Sequence, residues 1–345
     1  MLVESRTWWF AVCVIGAWLS SQSARAQITY QAMQDVTRFG WLDQYSLAGP
    51  PYNNVGPEAC VPTSSVNVMT YLQNSAPGVF GTALTGSSYD DWVATDVVLV
   101  GPNYLNTSPS EGTAYNRIPY GLSNYIMQYR GFDGVHISGM IPEVVWTAQT
   151  PPEQRPAAIQ DAFPTWEFLY QAIISQSGTV LGLTYPDKQG HAVALGGFSW
   201  TDVNGNDVID PGEALLAFVD PLDPTRGTDP IGGAVYTTGQ VWMTTVPDPV
   251  TSVPYDVLQV QYDQYTGSDL WGGALGGSTS YGTATLYITT AVTVAVPEPQ
   301  ALMLAGAGML ALLVLRTRGS ADGGHARAGH RLRQHLPAGW ARARG

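Results

Sequence analysis

Charge is scarce in this sequence, and positive charge is scarcer still. Of 345 residues 12% are charged, with 15 Lys and Arg against 27 Asp and Glu, giving a net charge of −12. That balance argues against a nucleic-acid partner, which needs a basic patch. Cysteine is nearly absent, at 2 residues, and only 5 histidines are present. A disulfide framework is therefore excluded. What is plentiful points elsewhere. Hydrophobic residues make up 45%, which supports a packed core and excludes wholesale disorder. The 38 Gly and 24 Pro imply many turns, and 11 Trp with 18 Tyr suit a polar but weakly charged extracytoplasmic surface. The length fits one large domain or two small ones.

The two ends read as addresses. Arg6, the apolar run Trp8 to Leu19 and the small-x-small site Ala24-Arg25-Ala26 have the order of a secretory signal peptide over residues 1–26, with a mature start near Gln27. The run is short for a membrane span. Near the other end come Val296-Pro297-Glu298-Pro299, an apolar run from Ala301 to Leu315, then Arg316 and Arg318. This order resembles the PEP-CTERM sorting signal of Gram-negative bacteria, over 297–318. The resemblance implies a transient membrane anchor, processing by an exosortase, and delivery to the cell envelope, outer surface or extracellular matrix. Such signals end soon after the basic cluster, yet Gly319 to Gly345 follows. It is basic, has no apolar period and reads as a disordered tail, so its histidines are set aside.

The middle, 27–296, holds 6 basic and 24 acidic residues, a net charge of −18. Divalent cations are plausible ligands for such a segment. Val61 to Gln73 has apolar residues at spacing three and reads as a helix, with Pro62 in its first turn. Gly121 to Tyr129 and Trp166 to Ser175 are shorter helical stretches. Phe80 to Arg117 reads as long surface loops and Ala148 to Pro164 as a connector. Six strands are expected later: Thr179–Tyr185, His191–Trp200, Ala214–Val219, Gln240–Val246, Val257–Tyr262 and Ala284–Val294. Helices first and strands second suggest an α+β domain.

With Cys13 leaving in the signal, Cys60 is the only cysteine of the mature chain, and His136 and His191 are its histidines outside the tail. Cys60 opens the expected helix. A helix N-terminus presents free N–H groups and a positive dipole end, an environment suited to a thiolate nucleophile. Around it, Cys60, Pro62, Thr63, Ser64, Asn67, Met69, Tyr71 and Leu72 resemble the cysteine-first helix of papain-like cysteine peptidases, in the bacteriocin-processing branch that cuts after double glycine. The resemblance implies a papain-like fold, with the Cys on a helix packed against an antiparallel sheet. It also implies a histidine opening a later strand, matched by Gly190-His191-Ala192-Val193, and an Asp ending the next, matched by Phe218-Val219-Asp220-Pro221. His136 lacks that context and reads as an ordinary strand or loop residue. Antiparallel pairing about a turn near Asn206 independently sets His191 opposite roughly residue 221. The oxyanion donor is open between Asn54, with better spacing, and Gln44, with the expected side chain; the N–H of Cys60 is the second donor.

Between base and orienter lies Asp202-Val203-Asn204-Gly205-Asn206-Asp207-Val208-Ile209-Asp210-Pro211-Gly212-Glu213. Its oxygen-bearing positions resemble an EF-hand or dockerin-type Ca²⁺ loop, which implies ligation by Asp202, Asn204, Asn206, the Val208 carbonyl, Asp210 and Glu213. Asp207 stands where such loops carry Gly. The expected function is an exported, envelope-sorted cysteine peptidase acting on peptides or proteins through Cys60, His191 and Asp220, with structural calcium. The alternatives are an inactive matrix or binding protein and a transglutaminase-like acyl transferase.

Overall fold

The computed structural model describes residues 28–47, 55–143, 158–186, 189–222, 233–247, 254–265 and 281–296. The signal peptide, the segment after Val296 and Asn54 lie outside the described residues.

The chain starts with strand β1 (Ile28–Met33) and reaches helix α1 (Cys60–Ser75) through short turns. Helix α2 (Tyr89–Val100) follows, then α3 (Ile118–Ser123), which continues as a π-helical turn over Asn124–Tyr129. Strands β2 (His136–Met140) and β3 (Ile159–Gln160), helix α4 (Trp166–Ile174) and strand β4 (Gly178–Thr184) come next. The rest is sheet: β5 (Gly190–Asp202), β6 (Ala214–Val219), β7 (Thr237–Pro247), β8 (Pro254–Tyr265) and β9 (Tyr281–Ala295).

The expected papain-like α+β fold, with the Cys at the N-terminus of a helix packed on an antiparallel sheet, is not what forms. Strands β5 to β9 pair in order, and β4 pairs with both β5 and β9, so six antiparallel strands close into a barrel. Closure follows from strand length. β9 uses Tyr281–Tyr287 on β8 and Tyr287–Val294 on β4, so it has a partner along its whole length. Its last residues also take β2, which pairs Met140 with Ala291 and His136 with Ala295. β5 likewise outruns β4 and takes β1, pairing Met33 with Gly197 and Ile28 with Asp202. A closed sheet leaves no edge inside the barrel to be managed by charge or cover.

Alternation along the strands splits the apolar side chains into two cores. Leu183, Val193, Leu195, Phe218, Val260 and Ile288 belong to one buried cluster, which fills the barrel. Val180, Ala192, Ala194 and Val292 belong to the other and meet Val66, Val68, Met69 and Leu72 of α1. Helix α1 is buried almost all round, and its fully buried Thr63, Ser64, Ser65, Asn67, Thr70 and Gln73 are hydrogen-bonded. Asn67 accepts from Leu42 N–H at 2.9 Å and donates to Leu42 O at 3.1 Å, holding the chain before it along the helix.

Phe80 to Arg117 is not all loop, since it contains α2. That helix is closed at its start by a reciprocal cap: Asp91 N–H donates to Ser88 Oγ, and Ser88 N–H donates to Asp91 Oδ2. The Ser-x-x-Asp signal was present in the sequence, masked by the polar residues around it.

Candidate active site

The site begins with a chain reversal. Val55 O accepts Glu58 N–H and Gly56 O accepts Ala59 N–H, making a tight turn over Gly56–Glu58. Thr63 N–H then bonds Ala59 O at 3.0 Å, and α1 starts at Cys60 with no side chain capping it. The Cys60 thiol sits at this uncapped helix start, half-buried and not in a disulfide.

His191 is the second residue of β5, and Asp220 follows the last residue of β6. Their strands pair Ala194 with Val219 and Trp200 with Ala214, within two residues of the expected register. The two side chains meet: His191 Nε2 lies 2.8 Å from Asp220 Oδ1, and each residue is 4% exposed. The same Oδ1 accepts Leu222 N–H at 2.8 Å, which fixes the carboxylate. Burial alone would keep the ring neutral. The charge and hydrogen bond of Asp220 outweigh it, and nearby Cys60 raises the value further, so His191 is pushed up to about 10. With Nε2 given to Asp220, Nδ1 is the nitrogen left for the thiol.

Three residues outside the expected set build the surroundings. Ser64 Oγ donates to Ala192 O at 2.8 Å, tying the first turns of α1 to the residue after His191. Tyr115, from a 3₁₀ turn over Tyr115–Arg117, brings its hydroxyl to Leu183 O at 2.6 Å and His191 O at 2.9 Å. Tyr262 stands inside the barrel mouth, 3% exposed, where burial and then the charges of Asp220, Tyr185 and Cys60 push its phenol well above the ordinary value. Ser64 belonged to the motif around Cys60. Tyr115 lay in a stretch that reads as loop, and only Gly190 before His191 hinted at a close neighbour.

Gln44 is 3% exposed, and its main-chain N–H donates to Pro221 O at 3.0 Å, next to Asp220. Asn54 lies outside the described residues. His136 is the exposed first residue of β2.

The Asp202–Glu213 segment forms the tip of the β5–β6 hairpin. Asp207 has φ 58°, the left-handed conformation that Gly supplies in a calcium loop, and its N–H donates to Asp202 Oδ2 at 3.1 Å. Asp202 Oδ1 accepts from Gly205 and Asn206, Asp210 Oδ2 accepts from the amides of Asn204 and Asn206, and Glu213 Oε1 accepts from Val203 N–H. The donor set is the hard-oxygen set that Ca²⁺ takes. Among the described residues, however, no three His, Cys, Asp or Glu side chains converge as a metal cluster.

Strand β9 ends at Ala295, at the edge of the described body, and the apolar and basic segments read from the sequence follow it. Residues 295–318 match the PEP-CTERM protein-sorting motif. PEP-CTERM segments are recognised by an exosortase, so the chain is exported and sorted to the envelope or cell surface. The PEP-CTERM match covers the address only and leaves the chemistry of the barrel to its geometry. No curated protein matches the chain.

Proposed function

We propose that the protein is an envelope-sorted cysteine hydrolase that cleaves peptide bonds. The observation that supports this best is the buried 2.8 Å contact of His191 Nε2 with Asp220 Oδ1, on a ring that the Cys60 thiol also reaches. In this reading the Cys60 thiolate attacks the scissile carbonyl carbon, forming a C–S bond while the carbonyl electrons move to oxygen. The oxyanion would be met by the Cys60 N–H and by a side-chain amide, that of Gln44 or of Asn54. His191 gives its Nδ1 proton to the leaving amine as the C–N bond breaks, and a thioester remains. Water, deprotonated by His191, then releases the carboxylic acid and restores the thiol. Asp220 keeps the imidazole oriented and stabilises its charge.

The same groups serve an acyl transferase, in which an amine replaces water at the second step; product analysis with peptide and amine acceptors separates the two. In an inactive matrix or binding protein, Cys60 would be inert. Labelling by an iodoacetamide probe at neutral pH, lost in Cys60→Ala and His191→Ala, tests the reading. An unlabelled wild type rejects it.

Calcium belongs to the same proposal. Bound through Asp202, Asn204, Asn206, the Val208 carbonyl, Asp210 and Glu213, it would pin the hairpin whose two strands carry His191 and Asp220.

A further inference from the structure

Nothing in the sequence motif accounts for Tyr115, which comes from a turn far from both strands of the hairpin it touches. Leu183 and His191 face each other across β4 and β5. The Tyr115 hydroxyl reaches the carbonyl of each, at 2.6 and 2.9 Å, and its single proton is shared between them. Its ring lies where two glycines leave room. A Cβ on Gly182 would stand 2.9 Å from the ring carbons Cε2 and Cζ, and one on Gly190 would stand 2.6 Å from the hydroxyl. Both glycines thus face one phenol, a fitted contact rather than a chance approach.

We infer that Tyr115 is a positioning residue for His191: its hydroxyl locks the backbone of the base near the start of β5. The inference rests on the proposed cysteine hydrolase reading. His191 is one residue from the start of its strand, where sheet pairing is weakest and fraying begins. Its ring must satisfy Asp220 on one nitrogen and Cys60 on the other, so a small shift of the main chain breaks one contact. Ser64 fixes Ala192 from the helix side, and Tyr115 fixes His191 from the side of β4. The phenol does not act as a proton donor to substrate. Burial, and then the charge of Cys60, hold it well above its ordinary value, and its proton is committed to main-chain carbonyls.

The test is a pH titration of the His191 imidazole by NMR, with the rate of Cys60 alkylation by iodoacetamide at pH 6 measured on the same samples of chain lacking residues 1–26. Tyr115→Phe keeps the ring in its glycine gap and removes only the hydroxyl, so it should fold with a nearly unchanged melting temperature. The His191 midpoint should fall by about one pH unit or more, and alkylation at pH 6 should slow, because the displaced imidazolium no longer holds the thiolate. Gly190→Ala, which pushes the hydroxyl away, should act in the same direction, and the double variant should be little worse than either single one. Unchanged midpoint and alkylation in Tyr115→Phe would overturn the inference while leaving the hydrolase reading standing. A wild-type His191 that titrates near 6.5, with alkylation indifferent to His191→Ala, would remove both together.

Discussion

Asp96 carries an unusual burden for one carboxyl group. It is fully buried on α2, Thr63 Oγ1 donates to its Oδ2 at 2.9 Å, and its Oδ1 has no partner among the described residues. Burial pushes it up to about 8, against the weaker opposing effect of Thr63. The folded state therefore holds the proton between about pH 4 and 8, where the unfolded chain has lost it. Stability from this group is present at acidic pH and declines as pH rises through that window. Asp96→Asn, which keeps an acceptor for Thr63, should flatten that decline and raise stability at pH 8 by an amount on the order of a few kcal/mol. Thermal unfolding of both proteins at pH 5 and pH 8 decides it, and parallel losses would contradict the assignment. His191 acts in the same sense over a higher range. Its folded value of about 10 exceeds the unfolded value near 6.5, so its contribution is complete below about 6.5 and is lost as pH rises through 10. For turnover, Cys60→Ala should abolish hydrolysis. His191→Ala should reduce it by at least ~10²-fold, and Asp220→Ala by less, because nucleophile and base both remain. These rates follow from peptide cleavage assays, and an Asp220→Ala loss equal to that of His191→Ala would count against an orienting role.

Among the elements, the β5–β6 hairpin joins the two motifs. Four carboxylates, Asp202, Asp207, Asp210 and Glu213, crowd its tip. Bound Ca²⁺ would offset half of their charge and stabilise the fold by mass action, on the order of 2.7 kcal/mol at a hundredfold excess over Kd. Chelation should lower the melting temperature and slow Cys60 labelling through His191, and Asp202→Ala with Glu213→Ala should mimic it. Ca²⁺ should restore both, and Mg²⁺ little, because it demands tighter octahedral geometry. No shift in demonstrably metal-free protein would leave a polar turn. This hairpin was also the most legible part of the sequence. Its strands, the register that brings Asp220 to His191, and the left-handed Asp207 all follow from local pattern. The closure of β4 against β9 was not legible, because the pairing of Gly178 with Val294 joins segments distant in sequence and leaves no mark on either of them. The contact of Tyr115 was hidden for the same reason. A glycine before a histidine announces a close neighbour without naming it.

At the scale of the whole molecule, address and barrel share a residue. The PEP-CTERM match begins at Ala295, the last residue of β9, and Ala295 still pairs with His136. Cutting into β9 up to Val294 would strip partners from β2 and β4, so we expect processing to fall after the strand. The mature envelope protein should accordingly start near Gln27 and keep β9 while losing the segment beyond Pro297-Glu298-Pro299. Mass spectrometry of protein recovered from the cell surface tests this, and an intact C-terminal tail on such protein would contradict it. In the proposed reading Cys60, His191 and Asp220 form one reactive unit. That claim is tested most directly by the rate of Cys60 alkylation with iodoacetamide across pH 5 to 9, in the wild type and in His191→Ala. The imidazolium, held protonated by Asp220, should make the wild type react at least ~10-fold faster than His191→Ala at pH 6, with the gap narrowing as the pH rises toward 9. Superimposable profiles would show a thiol that does not feel the histidine, and the account of the site would fail.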